Sequence, residues 1–481
     1  MKGIFVTLVL CVALLAQAGA QAPAATLKLD EVLDASSTHF PKILEALAKR
    51  RAAALESTVA LGAFDLVFSA ESDSWATGFY DGNLASAKAT QALRALGADV
   101  YGQYRISTGD FPVYQDQNFT NQGGQAKIGV LFSLLRDRDI DERRFNERDA
   151  GFALRDADFN VLLTRIGVQQ RAAVAYWKWV AAGQALGVYE QLLRIAQQRD
   201  EGLRKQVTQG AVARIFLTEN ERNITRRLSL VTGAQRDFAQ AANALSFYYR
   251  NGDGEPQTVR ASALPDTLKM VSAATVPALV DLARVDDALA RRPEVRQLRN
   301  AIDRASNRMA LRENALKPRF DVRMELAQGV GGVGEGGVSR DSTDATVGLS
   351  FSVPVQRREA RAKLAQARNK LDALRLQRQQ LEEKIELEVQ DIVISLRYAE
   401  ELATLADREV ELSEALQIAE QRRFDSGASD FFLVNVREQA VANAKVRAVA
   451  ARLATQVARA NFDAATIDLT RLGLGADSAL P

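Results

Sequence analysis

The feature that most constrains this chain is the length over which one helical period persists. From about Gln356 to Phe424, Leu371, Leu374, Leu381, Ile385, Ile392, Leu396 and Ala399 recur at three-, four- and seven-residue steps, with Glu, Arg and Gln filling much of the space between. That is coiled-coil spacing, and at 1.5 Å per residue the helix would be on the order of 100 Å long, far beyond a globular helix. The period breaks at Ser426-Gly427 and resumes with Val434, Val441 and Ala448 at seven-residue spacing. The same sequence of events occurs once before, from about Asp139 to Val207, with a break at Gly210 and a second helix from about Ala211 to Tyr248. Glycine ends a helix cheaply in the left-handed conformation, so each break predicts an antiparallel helical hairpin.

The two hairpins belong to a larger duplication. With Gly210 set on Gly427, Val207 falls on Phe424, Phe216 on Leu433 and Glu221 on Glu438. Upstream, KIGVLFSLL (Lys127 to Leu135) matches TVGLSFSVP (Thr346 to Pro354), and FPKILEAL (Phe40 to Leu47) resembles RPEVRQLR (Arg292 to Arg299). GAFDLVFSAES (Gly62 to Ser72) lies against NALKPRFDVRM (Asn314 to Met324). Each unit therefore reads helix, strand, strand, very long helix, break, long helix. The expected division is a signal at 1–22, a first repeat at 23–250, a linker at 251–275, a second repeat at 276–470 and a tail at 471–481. Strands fall within about 64–135 and 319–354, and the hairpins at about 139–248 and 356–468. Gly and Pro between Tyr249 and Asp266 stop the first unit's last helix.

The strand segments alternate. Phe320, Val322, Met324 and Leu326 share a face opposite Asp321, Arg323 and Glu325. Val347, Leu349, Phe351 and Val353 do the same opposite Thr346, Gly348, Ser350 and Ser352, as do Phe64, Leu66, Phe68 and Ala70 opposite Asp65, Ser69 and Glu71. A half-buried sheet shows this pattern, and so does a transmembrane barrel with lipid on one side and a wet lumen on the other. The loop from Gln328 to Asp344 contains Gly332, Gly334 and Gly337, formally G-x-G-x-x-G. A dinucleotide fingerprint needs a helix directly after it; with alternating strands on both sides, this is a surface loop. The first unit carries some 33 extra residues between its strand signals, including ADVYGQYRIS (Ala98 to Ser107), which also alternates. These either elaborate an outer hairpin or add strands.

Composition narrows the function. Among 481 residues, 62 Lys and Arg balance 60 Asp and Glu, which gives no reason to expect nucleic acid, and only 10 prolines interrupt a helix-favouring mixture. Lys2, an apolar run from Ile4 to Leu15 and the small residues of AQAGAQA (Ala16 to Ala22) read as an export signal cleaved after Ala20 or Ala22. Cys11 lies inside that run behind Leu10, not a small residue, which argues against a lipoprotein; its loss would leave no cysteine for disulfides, thiol chemistry or metal ligation. His39 stands alone, no metal or cofactor is implied, and no nucleophile–base set points to an enzyme. No later apolar run is long enough for a transmembrane helix.

Two strands per unit give four per chain, too few to close a barrel, and open strand edges are not tolerated in lipid. Three chains would give twelve strands above a ring of helical hairpins: a tube with a membrane barrel at one end and a rim of turns at the other. Here the sequence resembles the TolC family of outer-membrane efflux channels. The resemblance rests on the duplicated unit, on FDSGASDFFLVNVREQA (Phe424 to Ala440) and on GVLFSLLRDRDIDERR (Gly129 to Arg144). It implies a fold that is mainly α with a β part: long coiled-coil hairpins forming a periplasmic α-barrel, and a β-barrel completed by trimerisation. It further implies an outer-membrane location in contact with lipid, and an exit duct for small molecules or proteins. The hairpin tips would dock a periplasmic adaptor linked to an inner-membrane pump or to the ABC transporter of a type I secretion system. Adaptor docking and gating would then fall to Val207, Gly210, Arg214, Phe216, Phe424, Gly427, Asp430, Phe431 and Leu433. Many members carry an acidic residue six positions after the tip glycine; here Phe216 and Leu433 stand there, with Arg214 and Asp430 nearer the turn, so the rim is expected to close by apolar packing. For Phe431 and Phe432, hairpin packing competes with docking, and Tyr176 to Trp179 (YWKW) reads as interhelix packing. The competing overall reading is a periplasmic adaptor or structural coiled-coil protein.

Overall fold

In the computed structural model, which describes residues 26–265 and 292–475, two helices exceed every other element in length. These are α3 (Glu142–Thr208, 67 residues) and α6 (Arg358–Asp425, 68 residues), each about 100 Å long by its helical rise. Their near-equal lengths set both hairpin turns at the same distance from the sheet. The remaining helices are α1 (Leu29–His39), α2 (Pro41–Leu61), α4 (Ile215–Ser246), α5 (Pro293–Asn314) and α7 (Phe431–Ala465). Four helices lie side by side at each level. Near the sheet α3 packs on α2 and α5, and α5 on α6; towards the turns α3 packs on α4 and α7, and α7 on α6. The expected signal at 1–22 with Cys11, part of the linker, the first residues of the second repeat and the end of the tail lie outside the described residues.

The repeat is visible in local detail. α2 and α5 both carry Pro at the first helical position, where its missing N–H costs nothing. The heptad residues Leu371, Leu374, Ile385, Leu396 and Ala399 are buried, as are Val434, Val441 and Ala448. Small residues are buried on both helices, among them Ala172 of α3 and Ala444 and Ala448 of α7, and α3 packs directly on α7. The largest core lies midway down α3, where Trp179 and Tyr176 pack with Val32 and Leu33 of α1, Leu245 of α4 and Val259 of the linker. YWKW is therefore packing, with the Tyr176 hydroxyl donating to the Leu27 carbonyl at 3.0 Å.

The sheet departs from expectation. It has six strands, not four: β1 (Leu66–Ser74), β2 (Asn83–Ala92), β3 (Asp99–Thr108), β4 (Gln125–Ser133), β5 (Arg319–Gly329) and β6 (Thr343–Ser352). They form one antiparallel meander in sequence order. The extra residues of the first repeat thus form two strands within the sheet. The glycine-rich loop joins β5 to β6 with no helix following, as the surface-loop expectation requires.

The pairing register decides what each face presents. In one row of partners, Leu66, Gln91, Val100, Val130, Met324 and Val347 stand side by side; two residues up are Phe68, Ala89, Gly102, Ile128, Leu326 and Ala345. This face is apolar across all six strands and open: Phe68, Ile128, Leu326, Val347, Leu349 and Phe351 are each more than half exposed. The opposite face carries Glu71, Lys88, Arg105, Lys127, Arg323, Glu325 and Ser350. β1 and β6 each leave one edge without a partner among the described residues. No described helix is long and apolar enough to cross a membrane.

Candidate functional site: the paired hairpin turns

Both hairpins reverse through the same hydrogen-bonded turn. The Gly210 N–H donates to the Val207 carbonyl (3.0 Å) and Ala211 N–H to Gln206 (2.9 Å). Gly427 N–H donates to Phe424 (2.9 Å) and Ala428 N–H to Arg423 (2.8 Å). With φ of 72° and 76°, both glycines occupy the left-handed position of a Schellman cap, which satisfies the last carbonyls of α3 and α6.

The helices that leave the turns start differently. Asp430 caps α7, its carboxylate accepting from the Leu433 N–H at 2.7 Å. α4 starts at Arg214 with no side-chain cap. Asp430 thus has a structural task that accounts for its place near the turn.

The structure brings the two tips together through one aromatic contact. Phe216 of α4 meets Phe431 of α7 edge to face at 6.1 Å, and the Arg199 guanidinium lies 5.3 Å from the Phe431 ring centre. Phe431 is buried, so the packing alternative holds for it. Its neighbour Phe432 is 61% exposed and beside Val436 lines an open groove of about 320 Å³ between α4 and α7 with Arg222 and Arg226. Val207 and Leu433 are half-buried, whereas Gly210, Arg214, Phe216, Phe424, Gly427 and Asp430 are exposed.

About three turns from the glycines lies a group that the sequence did not single out. Glu438 of α7, 3% exposed, accepts from Arg199 of α3 and, at 2.9 Å, from Arg227 of α4. Arg227 also donates to the Leu192 carbonyl (2.8 Å), and Asn435 receives Arg199 at 2.8 Å. One carboxylate therefore ties three helices from both hairpins. Burial pulls the Arg227 guanidinium below its usual pKa, against the opposing pull of Glu438. In the first repeat the matching residue, Glu221, is exposed and reaches only Arg204, at 3.4 Å. The one signal in the sequence was that match.

The family profile of the outer membrane efflux proteins matches residues 285–466. The fold matches the CmeC outer membrane channel of Campylobacter jejuni (13% identity, TM-score 0.63, 93% of this chain and 90% of that one). It also matches the open MtrE outer membrane channel of Neisseria gonorrhoeae (16%, 0.64, 93% and 89%) and the outer membrane protein VceC of Vibrio cholerae (13%, 0.63, 91% and 95%). No curated protein matches the chain in sequence. Residues 285–466 thus match the outer membrane efflux protein family, on a fold that the chain shares along its length with solved outer-membrane channels.

Proposed function

We propose that three copies of this chain form an outer-membrane exit duct, which receives cargo from an inner-membrane pump or a type I secretion transporter through a periplasmic adaptor. The observation that carries this is the sheet. Its apolar face extends over six strands and is exposed, its other face is charged, and among the described residues its two edges are unpaired. In water such a face and such edges would aggregate. In lipid the face is satisfied, and the edges are satisfied only by barrel closure with further copies. A second unpartnered surface supports the same assembly. α6 exposes Leu387, Ile394, Leu402, Leu405, Leu412 and Leu416 on a side away from its packed heptad stripe, along the flank opposite α2 and α4. A neighbouring copy in a ring would cover it.

The paired turns are then the far rim, with Val207, Gly210, Arg214, Phe216, Phe424, Gly427, Asp430 and Leu433 as the residues for docking and gating, and Phe431 packed behind them. Phe432 and the groove beside it extend that surface. The chain is not an enzyme on this reading; it enters the outer membrane after cleavage of its signal and without a lipid anchor. Gly427→Val tests the rim: trimers should persist in mild detergent while adaptor-dependent export falls. Unchanged export would refute the assignment of the tips. Recovery of the protein in the aqueous periplasmic fraction would instead favour the adaptor or structural coiled-coil reading.

A further inference from the structure

Building on the trimeric reading above, we infer that β2 and β3 are membrane-barrel strands, so that the closed barrel has eighteen strands and a lumen as wide as the helical tunnel beneath it. Four observations converge on this.

The first is level. β2 and β3 pair over the same span as their neighbours: Asn83 of β2 stands opposite both Ser74 of β1 and Thr108 of β3, and Ala92 opposite Asp99. The hairpin thus neither rises above the sheet nor hangs below it. The second is face. Ala85, Ala87 and Ala89 of β2 and Val100, Gly102, Tyr104 and Ile106 of β3 continue the apolar side, with Gln91 of β2 at its foot.

The third is a chain of side-chain contacts across the polar face. Lys88 of β2 lies 4.5 Å from the centre of the Tyr101 ring on β3. That ring covers Gly129 of β4, whose position leaves no room for a β-carbon beside it. The Tyr101 hydroxyl donates to Glu325 of β5, which Lys127 of β4 also approaches at 3.6 Å. Four strands are linked, and a glycine is kept bare so that an aromatic from the inserted hairpin can cross it. A hairpin lying outside the wall would need neither.

The fourth is circumference. From Leu66 at the foot of β1 to Ser352 at the foot of β6 the register slips by five residues over five strand steps. One residue per strand, at about 3.3 Å rise and 4.8 Å spacing, corresponds to a tilt of about 35°, the tilt of closed barrels. At that tilt eighteen strands give a barrel about 33 Å across between backbones, and twelve give about 22 Å. Three copies of a four-helix layer, at about 9 Å between axes, give a ring about 34 Å across. At that tilt the eighteen-strand wall continues the tunnel without a step.

Ser69, Lys88, Gln103 and Lys127 share one row of the polar face, on β1, β2, β3 and β4. In a Cys11→Ser background, oxidation of isolated outer membranes should bridge Gln103→Cys to Lys127→Cys in most molecules and leave Ser69→Cys with Lys127→Cys unbridged. Bridging of the second pair would put β1 beside β4 and reduce the barrel to twelve strands. Bridging of neither pair would take β3 out of the wall. Either outcome overturns the inference. Imaging of the unsubstituted trimer reads the same point without cysteines: a barrel about 33 Å wide supports it and one near 22 Å refutes it. Loss of the trimer with the first pair still bridged would sink the exit-duct reading and spare the strand order.

Discussion

The two halves of this molecule are one unit written twice, and they differ mainly at its ends. The long helices agree within one residue, 67 against 68, and the glycine turns share a hydrogen-bond pattern. At the sheet end the first half contributes four strands and the second two. At the turn end the second half has a capped helix start, a buried aromatic and a buried carboxylate, where the first has Ala213, Arg214 and an exposed glutamate. On the exit-duct reading length is constrained, because both sets of turns must lie level at one rim. The ends were free to diverge, and what each half presents to membrane or partner differs there.

The largest test of that comparison exchanges the same residue type at matched positions. Glu438→Gln leaves Arg227 and Arg199 without their shared carboxylate in a buried site and should cost about 3–5 kcal/mol. Glu221→Gln removes an exposed pair and should cost less than about 1 kcal/mol. Denaturant unfolding of the detergent-solubilised protein measures both; similar losses would erase the asymmetry.

The turns themselves should behave alike. Gly210→Val and Gly427→Val each force a branched residue into the left-handed region, at about 1–2 kcal/mol, and should match because nothing stands within 4 Å of either added β-carbon. A large difference between them would mean that one turn carries a strain the other lacks.

A smaller effect separates the helix starts. Asp430→Ala removes the N-cap of α7 and should cost about 1 kcal/mol, while Ala213→Asp, the matched change in the first repeat, should give back part of that by capping α4. Hydrogen exchange of the first-turn amides reports each change at its own tip.

A separate test is a pH dependence. Burial pushes the Asp463 carboxyl up to about 6; Arg459 at 3.5 Å works against this and Asp468 adds to it, with Arg471 also near, at 3.6 Å. The ion pairs and the upward shift pull in opposite directions, and burial prevails because Asp463 is 9% exposed. The unfolded chain releases this proton near pH 4. Between about pH 4 and 6 the folded state therefore holds a proton the unfolded state has lost, so stability declines as pH rises through that window and levels off above it. Asp463→Asn should flatten the decline; an unchanged profile would assign it to another group.

How much of this the residues announce depends on contrast. The heptad stripe of α6 and the two tip glycines stand out because apolar and charged residues alternate sharply around them, and β3 is visible through Val100, Tyr104 and Ile106. β2 is not, because on the apolar face it has alanines and Gln91 and on the other Ser, Lys and Thr, so alternation is weak in hydropathy though regular in space. Glu438 resembles any carboxylate on a solvated helix, and only the neighbouring hairpin buries it. Phe431 and Phe432 differ by one step of about 100° around α7. Which one packs is fixed by where Asp430 starts the helix, a detail that spacing alone leaves open. The second apolar stripe of α6, around Leu387 and Leu402, is interleaved with the first and separates from it only once the packed side is known.

The central claim is that one side of the sheet meets lipid and the other meets the water of a duct. Leu349 and Ser350 are adjacent on β6 and point to opposite faces. In outer-membrane vesicles, a water-soluble maleimide should label Ser350→Cys and leave Leu349→Cys unmodified until detergent is added. Equal labelling of both before detergent, in protein released to the aqueous fraction, would contradict the account.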